Sequence, residues 1–231
     1  MPRETLDPWA YPRAAMPLDD EPTDAIAVPL QSQTSRAPLV RRAVAGLVPR
    51  RRNLRGVVYL VLDHSTSMAD RGKMEQLRQG ALRFFLEAVR RDYAVGAIAF
   101  AGRAEVIAGA GLDAHRFWKR LHTLRPYGRT AMADGLRVAL GRFRFRWGRK
   151  VLILITDGVP DDRERTLEAA RLARARGVTL IPIGTGAADY AFLASLAGRP
   201  EVAQHGAQDD LARAMGHAAG ELGDPVDIQA G

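Results

Sequence analysis

No cysteine stands anywhere in the 231 residues. A disulfide framework, a thiolate zinc site and a thiol nucleophile are therefore excluded, and the composition fits a reducing compartment. Long apolar runs are missing too. The two longest, VVYLVL at 57–62 and VLILI at 151–155, fall far short of the roughly 20 residues that cross a bilayer. The opening MPRETLDPWAYPR sets charges and prolines where a secretory leader needs an apolar stretch. These absences predict a cytoplasmic protein with no membrane span. Lysine is scarce as well, occurring only at 73, 119 and 150, so the formal net charge of +8 rests almost entirely on arginine. The arginines spread over most of the predicted helices instead of gathering on one motif. That dispersion argues against specific nucleic-acid recognition, which such a charge otherwise invites.

What is present divides the chain into three parts. Over 1–53, Pro2, Pro8, Pro12, Pro17, Pro22, Pro29 and Pro38 interrupt any helical or strand period, which predicts a flexible Pro/Arg-rich arm. Its charges are segregated: Asp19, Asp20, Glu21 and Asp24 come first, and 25–55 carry seven arginines and no acid. Such blocks serve either as solvated linkers or as interaction tails, and Trp9, Tyr11 and the apolar stretch at 25–30 keep the second role open. A folded domain is expected over 54–223, followed by a short tail at 224–231.

Within the domain, strands and helices alternate. Val57 to Leu62 and Lys150 to Thr156 are continuous aliphatic runs, the pattern of strands covered on both faces. Helical spacing of Met74, Leu77, Ala81, Phe84, Phe85 and Val89 predicts an amphipathic helix to Arg91. Strands follow at 94–100 and 104–107, joined too tightly for a parallel crossover and so antiparallel. Helices are predicted at 115–123, 131–143, 163–176, 190–196 and 211–222, with strands at 178–183 and around Val202. The class is α/β: a doubly wound, mostly parallel six-stranded sheet with one short antiparallel edge strand. Ligands of such sheets bind beyond the carboxyl ends of the strands, where strand order reverses. Asp63 and Asp157 both fall at strand carboxyl ends.

Three loop segments bring oxygen ligands to those ends: Asp63-His64-Ser65-Thr66-Ser67, Gly128-Arg129-Thr130 and Thr156-Asp157-Gly158. Read singly, each Asp or Ser is a helix cap or a turn residue. Read together, over 55–223, they resemble the von Willebrand factor A domain with a complete metal-ion-dependent adhesion site. The resemblance implies that Asp63, Ser65, Ser67, Thr130 and Asp157 hold a metal ion. Thr66 stands where many members have Gly, and Arg129 where a second Gly commonly precedes the Thr, which sets a cation beside the metal face. His64 and Arg129 are the expected partner-contacting residues.

The donor chemistry agrees. Hydroxyl and carboxylate oxygens are hard ligands suited to Mg²⁺ or Mn²⁺. With only two carboxylates, which the resemblance suggests act through water, the ion stays electrophilic and accepts a partner's Asp or Glu as its last ligand. The implied function is a non-catalytic, cation-dependent protein-binding module, an adaptor or regulatory subunit of a larger bacterial complex such as a MoxR-type AAA+ ATPase or a stress or conflict system. Some members also couple the metal site to a shift of the last helix, here 211–222. Two other classes compete. A nucleic-acid-associated scaffold would use the basic arm and arginine-rich surface; the interleaved Phe143, Phe145 and Trp147 could stack on a strand, but the favoured account is a helix C-terminus with arginines suited to the dipole and aromatics packed on the sheet. A metal-dependent hydrolase or phosphatase would need a placed general base and more carboxylates. Asp161 and Asp162 are expected to cap the helix that follows them. Gly184-Thr185-Gly186 reads as a turn, since it lacks both the third glycine of a dinucleotide fingerprint and a P-loop lysine. His115, His122, His205 and His217 lack metal-ligand spacing.

Overall fold

The structure, a computed structural model, describes residues 54–70, 72–143, 148–186, 188–197, 204–205 and 211–223. The arm expected over 1–53, the tail at 224–231 and Val202 lie outside the described residues. The elements run β1 (Gly56–Asp63), a 3₁₀ turn (Thr66–Ala69), α1 (Lys73–Arg90), β2 (Tyr93–Phe100), β3 (Ala104–Ala108), α2 (Ala114–Thr123), α3 (Met132–Arg142), β4 (Arg149–Thr156), α4 (Arg163–Ala175), β5 (Val178–Gly184), α5 (Tyr190–Ala197), β6 (Gln204–His205) and α6 (Leu211–Gly220).

The strands form one six-stranded sheet in the order β3-β2-β1-β4-β5-β6. Only β3 runs antiparallel, pairing with β2 at the edge, and the other neighbours are parallel. The predicted fold class is the observed one. The two-residue β6 falls just beyond the stretch around Val202 where a strand was expected.

Burial on both faces explains the continuous aliphatic runs. Successive side chains of a strand point to opposite faces. From β1, Val58, Leu60 and Leu62 enter the core formed with α1, α2 and α6, whereas Val57, Tyr59 and Val61 enter the core formed with α3, α4 and α5. Tyr59 imposes a requirement on its neighbour. It is paired in register with Gly96 on β2, and a Cβ at 96 would overlap the Tyr59 ring and come within 2.9 Å of the Ala108 carbonyl. The same ring meets Phe143 edge to face at 5.3 Å, so the first aromatic of the arginine-flanked series packs onto the sheet. Residues 144–147 lie outside the described residues.

β1 and β4 are hydrogen-bonded neighbours, yet the chain leaves β1 toward β2 and leaves β4 toward β5. Their carboxyl ends therefore open a crevice, the topological switch point of the sheet. The segments 64–70, 124–131 and 157–162 surround it.

Candidate metal-binding face

Asp63, the last residue of β1, is fully buried. Its Oδ1 accepts the Ser65 backbone N–H at 2.8 Å, and its Oδ2 accepts the Thr156 hydroxyl at 2.6 Å. Burial raises its pKa above the ordinary carboxylate value, against the hydrogen bonds from Ser65 and Thr156. The carboxylate thus fixes the start of one loop and joins the ends of β1 and β4.

A proton chain runs across the crevice. Ser67 Oγ donates to Asp157 Oδ1 at 2.6 Å, and Ser65 Oγ lies 3.0 Å from Ser67 Oγ. A hydroxyl has one proton, and Ser67 has given its proton to Asp157, so Ser65 is the donor to Ser67. Both serine oxygens retain lone pairs for a cation.

Thr130 comes from a separate loop that is tied down from two sides. The Gly128 carbonyl accepts the Thr66 backbone N–H at 3.1 Å and the Thr66 hydroxyl at 2.9 Å. Gly128 itself has φ of 69°, left-handed backbone that glycine adopts without strain. On the other side, the Thr130 N–H donates to Asp161 Oδ1 at 3.2 Å, and the Asp161 N–H donates to the Thr130 carbonyl at 3.1 Å. Gly158 completes the floor. A Cβ on Gly158 would stand 3.6 Å from Thr130 Oγ1 and 3.7 Å from Ser67 Oγ, so the two hydroxyls border one small space that the glycine leaves open.

The residues present fit a hard divalent cation. Asp63, Ser65, Ser67, Thr130 and Asp157 all assemble at the switch point, and the space beside Gly158 is bordered by hydroxyl oxygen. Among the described residues no group of three or more His, Cys, Asp or Glu could hold a metal ion, so a cation here must draw on hydroxyls.

A family model for the von Willebrand factor type A domain matches residues 58–215, more than half of the chain. The chain belongs to the von Willebrand factor type A family. Among curated proteins it is 30% identical over 160 residues to the collagen alpha-5(VI) chain of Mus musculus, covering 64% of this chain and 6% of that one. The chain thus spans a small part of that relative's length. Among solved structures, the vWF domain of the type V pili tip protein Mfa5 from Porphyromonas gingivalis superposes with a TM-score of 0.66 at 13% identity, covering 76% of this chain and 96% of that one. Proximal thread matrix protein 1 from the mussel byssus, in a structure with a zinc-occupied MIDAS motif, gives a TM-score of 0.61 at 22% identity, covering 71% and 44%. At these identities the two structures speak for the fold.

The von Willebrand factor type A domain places the two expected partner-contacting residues differently. Arg129 stands at the face, with its side chain 80% exposed and its Nε 3.4 Å from Asp161 Oδ2. His64 does not reach it. It is 3% exposed, with Nδ1 2.9 Å from the Arg125 carbonyl and its ring edge to face with Tyr127 at 4.9 Å. The Tyr127 N–H also donates to the His64 carbonyl at 2.9 Å, so His64 anchors the Thr130 loop from beneath. The expected capping pair also divides. Asp162 caps α4 by accepting the Arg165 N–H at 2.9 Å, whereas Asp161 binds the Thr130 backbone and Arg129.

Sequence reasoning missed Lys73. Its Nζ donates to Asp157 Oδ2 at 2.7 Å, to Asp70 Oδ2 at 2.9 Å and to the Ser67 carbonyl at 3.1 Å. Burial acts to lower its pKa, but the hydrogen bonds to Asp157 and Asp70 outweigh it and the value is raised. A signal existed in the sequence: a lysine opening a helix opposes the macrodipole, which favours acids there.

Proposed function

We propose that this chain is a non-catalytic, divalent-cation-dependent protein-binding module. Ser65, Ser67 and Thr130 offer hydroxyl ligands to Mg²⁺ or Mn²⁺, and Asp63 and Asp157 supply the negative charge. A partner's Asp or Glu carboxylate completes the shell. The observation that carries this reading is the space bordered by the Thr130 and Ser67 hydroxyls over Gly158. The zinc-occupied motif of the mussel protein supports a divalent ion in such a fold.

A protein partner is favoured by what flanks the site. Among the described residues the exposed large hydrophobic side chains are Tyr127 and Val159, one in each of the two loops that carry Thr130 and Gly158. Apolar area beside a charged centre suits a protein surface better than a small anion. The finer reading, an adaptor or regulatory subunit of a larger bacterial complex such as a MoxR-type AAA+ ATPase, rests on the family resemblance, as does a cytoplasmic setting on the cysteine-free composition. No helix among the described residues is long and apolar enough to cross a membrane.

A hydrolase finds less support. His64, the histidine next to Ser65, is buried against a backbone carbonyl, and among the described residues no group of three or more His, Cys, Asp or Glu could hold a metal ion. A nucleic-acid scaffold is less favoured on the folded domain, since the exposed Arg90, Arg116 and Arg163 lie against acids.

The test is capture from native cell extract with wild type and Asp63→Ala, each in Mg²⁺ and in EDTA. A partner lost with the substitution and with the chelator supports metal-bridged docking and identifies the process. A partner retained in all four conditions moves the function away from this face.

A further inference from the structure

Lys73 reaches Asp157 from the first position of α1, where the helix itself disfavours a cation. The residue before it, Gly72, has φ of 80° and provides no side-chain cap, and the helix N-terminus repels a cation. The ammonium nevertheless has three oxygen acceptors for its three N–H groups: Asp157 Oδ2, Asp70 Oδ2 and the Ser67 carbonyl. Its side chain is 20% exposed, and that of Asp157 is fully buried. A buried carboxylate needs a compensating charge. The opposing helix preference is overridden because this pairing is worth more.

Both oxygens of Asp157 are engaged, Oδ1 by the Ser67 hydroxyl and Oδ2 by the Lys73 ammonium. A dication that draws on Asp157 therefore meets a cation already on that carboxylate. Two positive charges this close to one acceptor repel.

We propose that Lys73 is a built-in counter-ion that competes with the divalent cation for Asp157, so that it weakens metal affinity and keeps the metal-free site folded. This rests on the metal-binding reading above. Metal entry then releases the ammonium from Asp157, and metal loss returns it. The device stabilises the two loops in the absence of metal and confines high-affinity docking to conditions of ample divalent ion.

The full chain contains three lysines, at 73, 119 and 150, which makes the release directly measurable. Wild-type protein is acylated briefly with an amine-reactive reagent, with and without saturating Mg²⁺, and the modified peptides are quantified by mass spectrometry. Lys73 should become more reactive with Mg²⁺, while Lys119 and Lys150 stay constant as internal references. Calorimetric titration of Mn²⁺ gives the second readout. Lys73→Met should bind the ion roughly tenfold more tightly, within the about 5- to 150-fold range usual for coupled ligands. It should also melt earlier than wild type in EDTA. Lys73→Arg, which keeps the charge, should stay near wild-type affinity. Unchanged Lys73 reactivity on adding Mg²⁺, or a Lys73→Met affinity equal to or weaker than wild type, overturns the proposal while leaving the metal site standing. Wild type that takes up no Mn²⁺ overturns the metal reading itself, and this inference with it.

Discussion

The Thr156 hydroxyl donates to Asp63 Oδ2 at 2.6 Å, joining the carboxyl ends of β4 and β1 across the point where the sheet reverses its strand order. Both residues are fully buried. The bond therefore holds the crevice to a fixed width in a region where water cannot substitute for a missing donor. Thr156→Val keeps the shape and deletes that donor, and it also removes the acceptor of the Gly158 N–H at 3.2 Å. An unsatisfied buried carboxylate oxygen costs roughly 1–3 kcal/mol or more. Urea denaturation should show a loss of that size for Thr156→Val and a near-wild-type midpoint for Thr156→Ser. Equal stability of all three proteins would show that Asp63 does not depend on this donor.

Gly96 provides a second stability test, away from the metal face. A Cβ there overlaps the Tyr59 ring, which is itself held by Phe143. Gly96→Ala should lower stability by about 1–3 kcal/mol, the usual cost of overpacking a core. The cost should shrink in a Tyr59→Leu background, because the two sites are in contact and their effects are coupled. Additive losses in the double variant would mean that the Ala108 carbonyl, and not the ring, sets the requirement.

His122, on α2, is a group with a pH signature that is not among the proposed ligands. Its pKa is held below 6.5 by partial burial first, then by the Arg78 and Arg125 guanidiniums, with Glu75 opposing. Trp118 packs edge to face on its ring at 4.1 Å. Between the depressed folded value and 6.5 the unfolded chain binds the extra proton, so stability rises with pH through that interval and is flat above it for this group. Thermal midpoints of wild type and His122→Asn, compared from about pH 5 to about pH 7.5, should show wild type gaining on the variant as pH approaches 6.5. Parallel pH profiles would exclude the contribution.

The sheet was legible because its strands are buried on both faces, and a strand of that kind has no choice but to be continuously aliphatic, as β1 and β4 are. The antiparallel edge was legible from the short gap around Gly102, which no crossover can fit. Where the reading slipped, the determinant was distance in sequence. Asp161 resembles a cap because caps are local, but its partner Thr130 is 31 positions away. Lys73 resembles a surface lysine because Asp157 is 84 positions away. His64 reads as a partner contact because it sits between two site residues, yet alternation after a strand end turns it under the loop to meet Arg125, 61 positions on. Local rules locate elements and motif oxygens; they do not locate the second partner of a side chain. The lysine at a helix start is a local inconsistency, since it opposes the macrodipole, and it marks the residue whose partner lies far along the chain.

Gly158→Ala separates the metal site from the fold. The added methyl would lie 3.6 Å from Thr130 Oγ1 and 3.7 Å from Ser67 Oγ, both ordinary contact distances. It introduces no clash, and losing a glycine restricts the unfolded chain, so stability in EDTA should be unchanged or slightly higher. The methyl nevertheless fills the space that the two hydroxyls border. An ion present at 100 times its dissociation constant stabilises a folded protein by about 2.7 kcal/mol. Wild type should therefore melt at a higher temperature as Mg²⁺ or Mn²⁺ is added, and lose that gain on chelation. In Gly158→Ala the gain should shrink or vanish while the EDTA midpoint holds. A variant that responds to metal as strongly as wild type would place the ion elsewhere, because a cation held by Thr130 and Ser67 and a methyl group on residue 158 compete for the same volume.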